Sequence, residues 1–258
     1  MGINLKQTAS GSLDFEDDLT SKIVQTLKPH GANYSDLGVR STQFDDFNGK
    51  TISTIWDVQK GSDGACVDFA ISAATNGMIR ATMGAGAGAS MAANGVQLCS
   101  ALNWKAEQGN LVFEAKVKIS AITNISVFVG LTDQVAALES PATLSTTTFT
   151  TNATDAVGFL FDTAATTDTI RCVGVADGTD ASHQDTGLAY VADTYKTFRI
   201  EVTTGGVASF YIDGAKVGSA LADAVSADVA LTPVIASFTR SAASATIDAD
   251  YIFVQQDR

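Results

Sequence analysis

The chain has 258 residues; 28 are Asp or Glu and 16 are Lys or Arg, a formal net charge of −12. That acidity argues against a general binder of nucleic-acid phosphates, and three prolines with 17% charged residues argue against disorder. Three cysteines, Cys66, Cys99 and Cys172, form no complete disulfide framework and are expected as buried thiols.

The N-terminal MGINLKQTAS has no apolar core of a signal peptide, and no run approaches the roughly 20 apolar residues of a membrane span. The reading therefore expects a soluble chain with no signal peptide and no membrane partner. Residues 1–44 are polar, with an apolar stripe at Leu19, Ile23, Val24 and Leu27. Asp17 and Asp18 at the start and Pro29 past the end fit a short helix. A helix that short needs a packing partner, so 1–44 is read as an N-terminal arm.

From Asp45 the period becomes two. Ile52, Thr54, Trp56 and Val58 alternate with polar neighbours, as do Val67, Phe69 and Ile71. Asn76-Gly77 then signals a hairpin into Met78–Met83. The run Gly84–Ser90, GAGAGAS, lacks the Lys-Ser or Lys-Thr of a phosphate loop and is read as a loop. A turn at Gln108-Gly109-Asn110 leads into Leu111–Ile119. There Leu111, Phe113, Ala115, Val117 and Ile119 should face a core and Val112, Glu114, Lys116 and Lys118 the solvent.

Ser126–Leu131 is apolar enough to be covered on both faces, and the Thr-rich Ser140–Thr154 reads as a long surface loop. Further strands are expected at Val157–Phe161, Thr169–Val175, Phe198–Val202 and Val207–Ile212, with Asp213-Gly214 turning into Ala215–Gly218. The last strand, Ala245–Val254, should place Ile247, Ala249, Tyr251 and Phe253 on one face. The sum is an all-β fold, an antiparallel two-sheet sandwich over 45–258 behind an arm carrying a short helix.

The run Phe198–Gly218, FRIEVTTGGVASFYIDGAKVG, resembles a hairpin of concanavalin-A-like and laminin-G-like jelly rolls. Phe44-Asp45-Asp46-Phe47 resembles their opening, Leu111–Ile119 their central strand and Tyr251–Val254 their closing strand. The resemblance covers roughly 44–258 and implies the fold, because this sandwich hosts lectins, glycosidases, adhesion modules and viral structural domains.

Glycosidases of this kind alternate acids along a strand as Glu-x-Asp-x-x-Glu, which puts carboxylates on one face at a separation of about 5–5.5 Å for retention. The nearest pattern here is Asp248-x-Asp250, without a third acid. It is expected to point outward, opposite Ile247 and Tyr251. His30 and His183 lack a nucleophile motif, and Cys and His lack zinc spacing. No catalytic, cofactor or metal residue is therefore assigned, and the chain is expected not to be an enzyme. Calcium stays open, because Asp133, Asp155, Asp162, Asp168, Asp177 and Asp180 crowd into expected loops. Trp56 reads as core and Trp104 as an exposed aromatic.

Two functions follow. The Ala/Thr/Ser/Gly-rich style and the arm resemble tailed-bacteriophage head-decoration or fibre proteins. That implies a virion protein on the capsid exterior, binding the major capsid protein as a homo-oligomer, dimer or trimer. The alternative is a carbohydrate-binding, lectin-like module, free or on a phage fibre. Its glycan would lie on loops such as Ser140–Thr154 and Asp177–Thr186.

Overall fold

A computed structural model describes residues 5–7, 13–15, 40–72, 77–86 and 90–258. The expected arm helix over Leu19–Leu27, His30, Asn76 and part of the GAGAGAS run lie outside the described residues. The chain divides into two compact units, Met1–Ser41 with Arg258, and Thr42–Asp257. In the first, β1 (Leu5–Gln7) pairs antiparallel with β2 (Leu13–Phe15).

The second unit is a two-sheet sandwich. Sheet I runs in the order β14 (Thr179–Asp180), β13 (Ile170–Ala176), β12 (Ala156–Asp162), β9 (Ile125–Thr132), β19 (Thr232–Thr239), β7 (Val96–Cys99) and β4 (Asp57–Lys60). A short β15 (Gln184–Asp185) also pairs with β13. Sheet II runs β18 (Ala215–Leu221), β17 (Ala208–Ile212), β16 (Lys196–Val202), β8 (Leu111–Ile119), β20 (Ala245–Asp257), β6 (Ile79–Met83) and β5 (Val67–Ile71), with β3 (Arg40–Asp45) beside β20. Neighbours along both sheets pair antiparallel. A hairpin of β10 (Ala142–Ser145) and β11 (Thr148–Thr151) stands apart.

The alternation of β8 explains how the sheets meet. Leu111, Phe113, Ala115, Val117 and Ile119 point inward and join Val127, Val129, Val157 and Phe159 of sheet I in the main core. The residues between them, Glu114, Lys116 and Lys118, point away from it. Asp213-Gly214, with φ of 52° and 80°, makes the two-residue turn between β17 and β18 that the sequence signals.

Sheet I is apolar on both faces. On its outer face Phe128, Leu160, Val173, Val175, Val234 and Phe238 form a second core under Ala142, Leu144 and Ala153. Ser140–Thr154 is therefore not a surface loop. Alternation within β10 buries Ala142 and Leu144 while Ser145 stays out, so the hairpin is a cover. Asp162 fastens it: buried at 2% exposure, it accepts the Leu144 N–H at 3.1 Å and pairs with Arg240. Gly158 opens space for this layer, because a Cβ there would sit 2.5 Å from the Phe128 ring. The only helix among the described residues longer than a 3-10 turn is one turn, α1 (Met91–Asn94), capped by Ser90.

The last strand departs from simple alternation. Register shifts between Ala249 and Tyr251, so Asp250 is an inserted residue in a β-bulge. The bulge flips the pattern: Ile247 and Ala249, then Ile252 and Val254, face the core. Tyr251 moves to the outer face beside Asp248, instead of opposite it.

Candidate functional site

The two outer faces differ, and this locates the site. Among the described residues that of sheet I is covered by a hairpin, whereas that of sheet II is mostly polar, with one buried ring, Phe253, at 5% exposure. Cross-strand register arranges its side chains in rows. Arg80, Asp248 and Lys118 lie opposite one another on β6, β20 and β8. Next come Tyr251, Lys116 and Thr197 on β20, β8 and β16. Then Glu114, Arg199 and Tyr211 follow on β8, β16 and β17. Rows two residues apart along a strand are separated by roughly 7 Å.

Hydrogen bonds join the rows. Asp248, its side chain only 1% exposed, receives Arg80 Nε at 2.6 Å and Lys118 Nζ at 3.0 Å. Burial works against its charge, yet the bonds from Arg80 and Lys118 prevail and hold its carboxyl below the usual range. Lys116 Nζ meets the bulged Asp250 at 2.6 Å. Arg199 lies between two glutamates, 2.8 Å from Glu201 and 3.3 Å from Glu114. Burial disfavours the guanidinium charge, but pairing with Glu201 and Glu114 raises its pKa.

Tyrosines punctuate this charge. Tyr251 Oη donates to Glu114 at 2.7 Å and Tyr211 Oη to Glu201 at 3.2 Å. Burial first, and then the neighbouring glutamates, push both phenols up in pKa, so they stay protonated donors. Tyr195 lies against Lys116 and Lys118, each ammonium 5.1 Å from its ring centroid. Burial, with Asp248 and Asp250 nearby, lifts its pKa to about 12. Phe44 of β3, 48% exposed, leans on Tyr251 with ring centroids 6.1 Å apart. The rings offer flat apolar surface, and the carboxylates and N–H groups around them offer acceptors and donors.

Residues singled out in the sequence are distributed otherwise. The loops Ser140–Thr154 and Asp177–Thr186 do meet: Phe149 stacks on His183 at 4.6 Å, and Thr151 Oγ1 donates to the Gly178 carbonyl. The first covers sheet I, and the second pairs with β13 at its edge. Beside them an open cavity of about 490 Å³ is lined by groups such as Asp180, Gln184 and Asp223, with no aromatic ring. His183 Nδ1 pairs with Asp180 at 2.7 Å.

The loop aspartates do not converge. Asp133 accepts the Asp155 N–H, Asp155 accepts the Ser226 N–H, and Asp162 holds Arg240. Asp177 occupies a left-handed turn at φ 49°. Among the described residues no group of three His, Cys, Asp or Glu could hold a metal ion. Trp56 is core and donates to Asp45 at 2.8 Å. Trp104 is also buried, at 4% exposure, because an isolated bridge to Leu231 draws it in, which corrects the expectation of an exposed ring. Burial raises the pKa of all three cysteines, Cys172 to about 12.

Similar solved structures share this architecture. A Bacillus licheniformis β-glucanase superposes with a TM-score of 0.55 at 13% identity, over 83% of this chain and 97% of that one. The Emp47p carbohydrate recognition domain gives 0.57 at 10% identity, over 88% and 99%. A native glycosidic hydrolase gives 0.56 at 12% identity, over 83% and 95%. No family model and no curated protein sequence matches the chain.

These likenesses establish a concanavalin-A-like jelly-roll sandwich. They also correct one expectation. The expectation that the chain is not an enzyme rests on its missing acid pattern, and it does not stand, because glucanases and a glycosidic hydrolase share the fold. The capsid-decoration expectation gains no support from them. No helix among the described residues is long and apolar enough to cross a membrane.

Proposed function

We propose that this chain is a carbohydrate-binding domain that takes glycan on the outer face of sheet II. The observation carrying this reading is the platform of Tyr251, Tyr211, Tyr195 and Phe44 interleaved with Glu114, Arg199 and Glu201 on the polar outer face of sheet II. A pyranose presents C–H groups above and below its ring and hydroxyls around its rim. The C–H faces match aromatic rings; the rim matches carboxylate acceptors and guanidinium donors held in place by their own pairing. The fold likeness to a carbohydrate recognition domain supports the same reading.

The test is affinity gel electrophoresis of the full chain through neutral and acidic soluble polysaccharides. At least one polymer should retard it, and Tyr211→Ala or Phe44→Ala should weaken that retardation about tenfold, or 1.4 kcal/mol. Circular dichroism should show the variants still folded. Retardation that survives both substitutions would move the site elsewhere.

A further inference from the structure

We infer that the polar outer face of sheet II selects neutral polysaccharides and excludes acidic ones. The inference rests on the glycan-binding reading above and adds the class of glycan. Across the centre of the face stand four cations, Arg80, Lys116, Lys118 and Arg199, and four carboxylates, Glu114, Glu201, Asp248 and Asp250. Each cation is held by a carboxylate of the same face. Arg80 and Lys118 share Asp248, Lys116 has Asp250, and Arg199 is divided between Glu114 and Glu201.

A uronate or sulfate arriving here must either displace a resident carboxylate or take a remaining N–H beside that carboxylate, against a charge of its own sign. Displacement exchanges one ion pair for another and leaves a carboxylate of the protein without its partner. The rest of the molecule adds repulsion, since the whole chain carries −12. Lys216, on the edge strand opposite Tyr211, stands at the rim and is one exposed charge against that total. Neutral hydroxyls meet no such obstacle. Each can donate to a remaining carboxylate lone pair or accept from a remaining N–H without breaking a pair.

Tyr195 strengthens the exclusion by laying its ring against both lysine ammoniums. The rows, repeating at roughly 7 Å, extend the surface beyond one sugar ring, which suits a polymer.

The experiment uses the full chain in affinity gels at about 20 and about 300 mM NaCl, where the screening length falls roughly fourfold. Probes are mixed-linkage β-glucan, xylan, galactomannan and dextran as neutral polymers, and alginate, polygalacturonate and heparin as acidic ones. The expected result is retardation by a neutral polymer, changing less than about twofold with salt, and none by acidic polymers. Asp250→Asn and Glu201→Gln each release a cation from its partner. They should gain salt-sensitive retardation by an acidic polymer, by about threefold at low salt.

Salt-sensitive binding of the unsubstituted chain to acidic polymers would overturn the neutral selectivity and leave glycan binding standing. Failure of both variants to gain would overturn the pairing argument that carries it. Retardation by neither class would overturn the glycan-binding reading itself.

Discussion

The outer faces of the two sheets were built from the same strand geometry and reached opposite ends. On sheet I, β12 and β9 put Leu160 and Phe128 outward, and a hairpin had to be laid over them. On sheet II, the equivalent outward positions of β8 and β16 are Glu114, Lys116, Lys118, Arg199 and Glu201, which water and one another satisfy. The comparison teaches that outward positions decide which face becomes structure and which stays available. An apolar face is consumed by folding; the polar, ion-paired one is the face proposed to bind.

If that division is real, stability and binding should separate by face. The largest effect is expected from Phe128→Ala, which empties the covered layer and should cost about 3–5 kcal/mol in denaturant unfolding. Asp162→Ala follows, at about 3 kcal/mol, because it takes its carboxylate from the part-buried Arg240 and frees the Leu144 N–H that holds the hairpin. A loss below about 1 kcal/mol in either would mean that the cover is not integral to the fold.

A smaller, pH-dependent effect belongs to the polar face. The Asp248 carboxyl is held below its ordinary value near 3.8, so the unfolded chain takes up a proton before the folded one does. Its contribution is therefore present above about pH 4 and is lost as pH falls through the folded value. Asp248→Asn should lower stability near neutrality, and the gap to the unsubstituted protein should narrow as pH drops toward 3, measured by urea unfolding across pH. A gap constant with pH would contradict the pairing with Arg80 and Lys118. The smallest effect is expected from Lys105→Ala: its pair with Glu107 is exposed on both sides, and unfolding should change by less than about 0.5 kcal/mol.

Much of this frame was legible in the sequence. The strict alternation of Leu111–Ile119 marks both the core face and the polar face of β8, the apolar run at 126–131 marks a strand covered on both sides, and 157–161 reads as a strand. The cover is hard to read because Thr143, Thr147, Thr148 and Thr150 make the hairpin look like a polar loop, while Ala142, Leu144 and Phe149 mark its inner face. The bulge left no trace in composition, since Asp248-Ala249-Asp250-Tyr251 reads as continuous alternation. A single inserted residue nevertheless moved Tyr251 to the other side. Trp104 was decided by a bridge to Leu231, far along the chain.

The candidate site was the least legible feature. Its residues come together only through sheet register, across sequence separations of 168 for Arg80 and Asp248 and 85 for Arg199 and Glu114. The local pieces, Asp248-x-Asp250 and the Arg199, Glu201 and Tyr211 of one hairpin, do not show in sequence that they share a face. Of the loops that look most like a glycan site, Ser140–Thr154 covers sheet I and Asp177–Thr186 adds β14 and β15 beside β13 at its edge.

The most direct test of the central claim is amide chemical-shift mapping of the full chain titrated with a neutral oligosaccharide taken from whichever polymer retards it. The account predicts that the shifted resonances cluster on β8, β16 and β20, around Glu114, Lys116, Arg199 and Tyr251. Shifts confined to the cavity beside Asp180 and Asp223, with the face of sheet II unmoved, would contradict it.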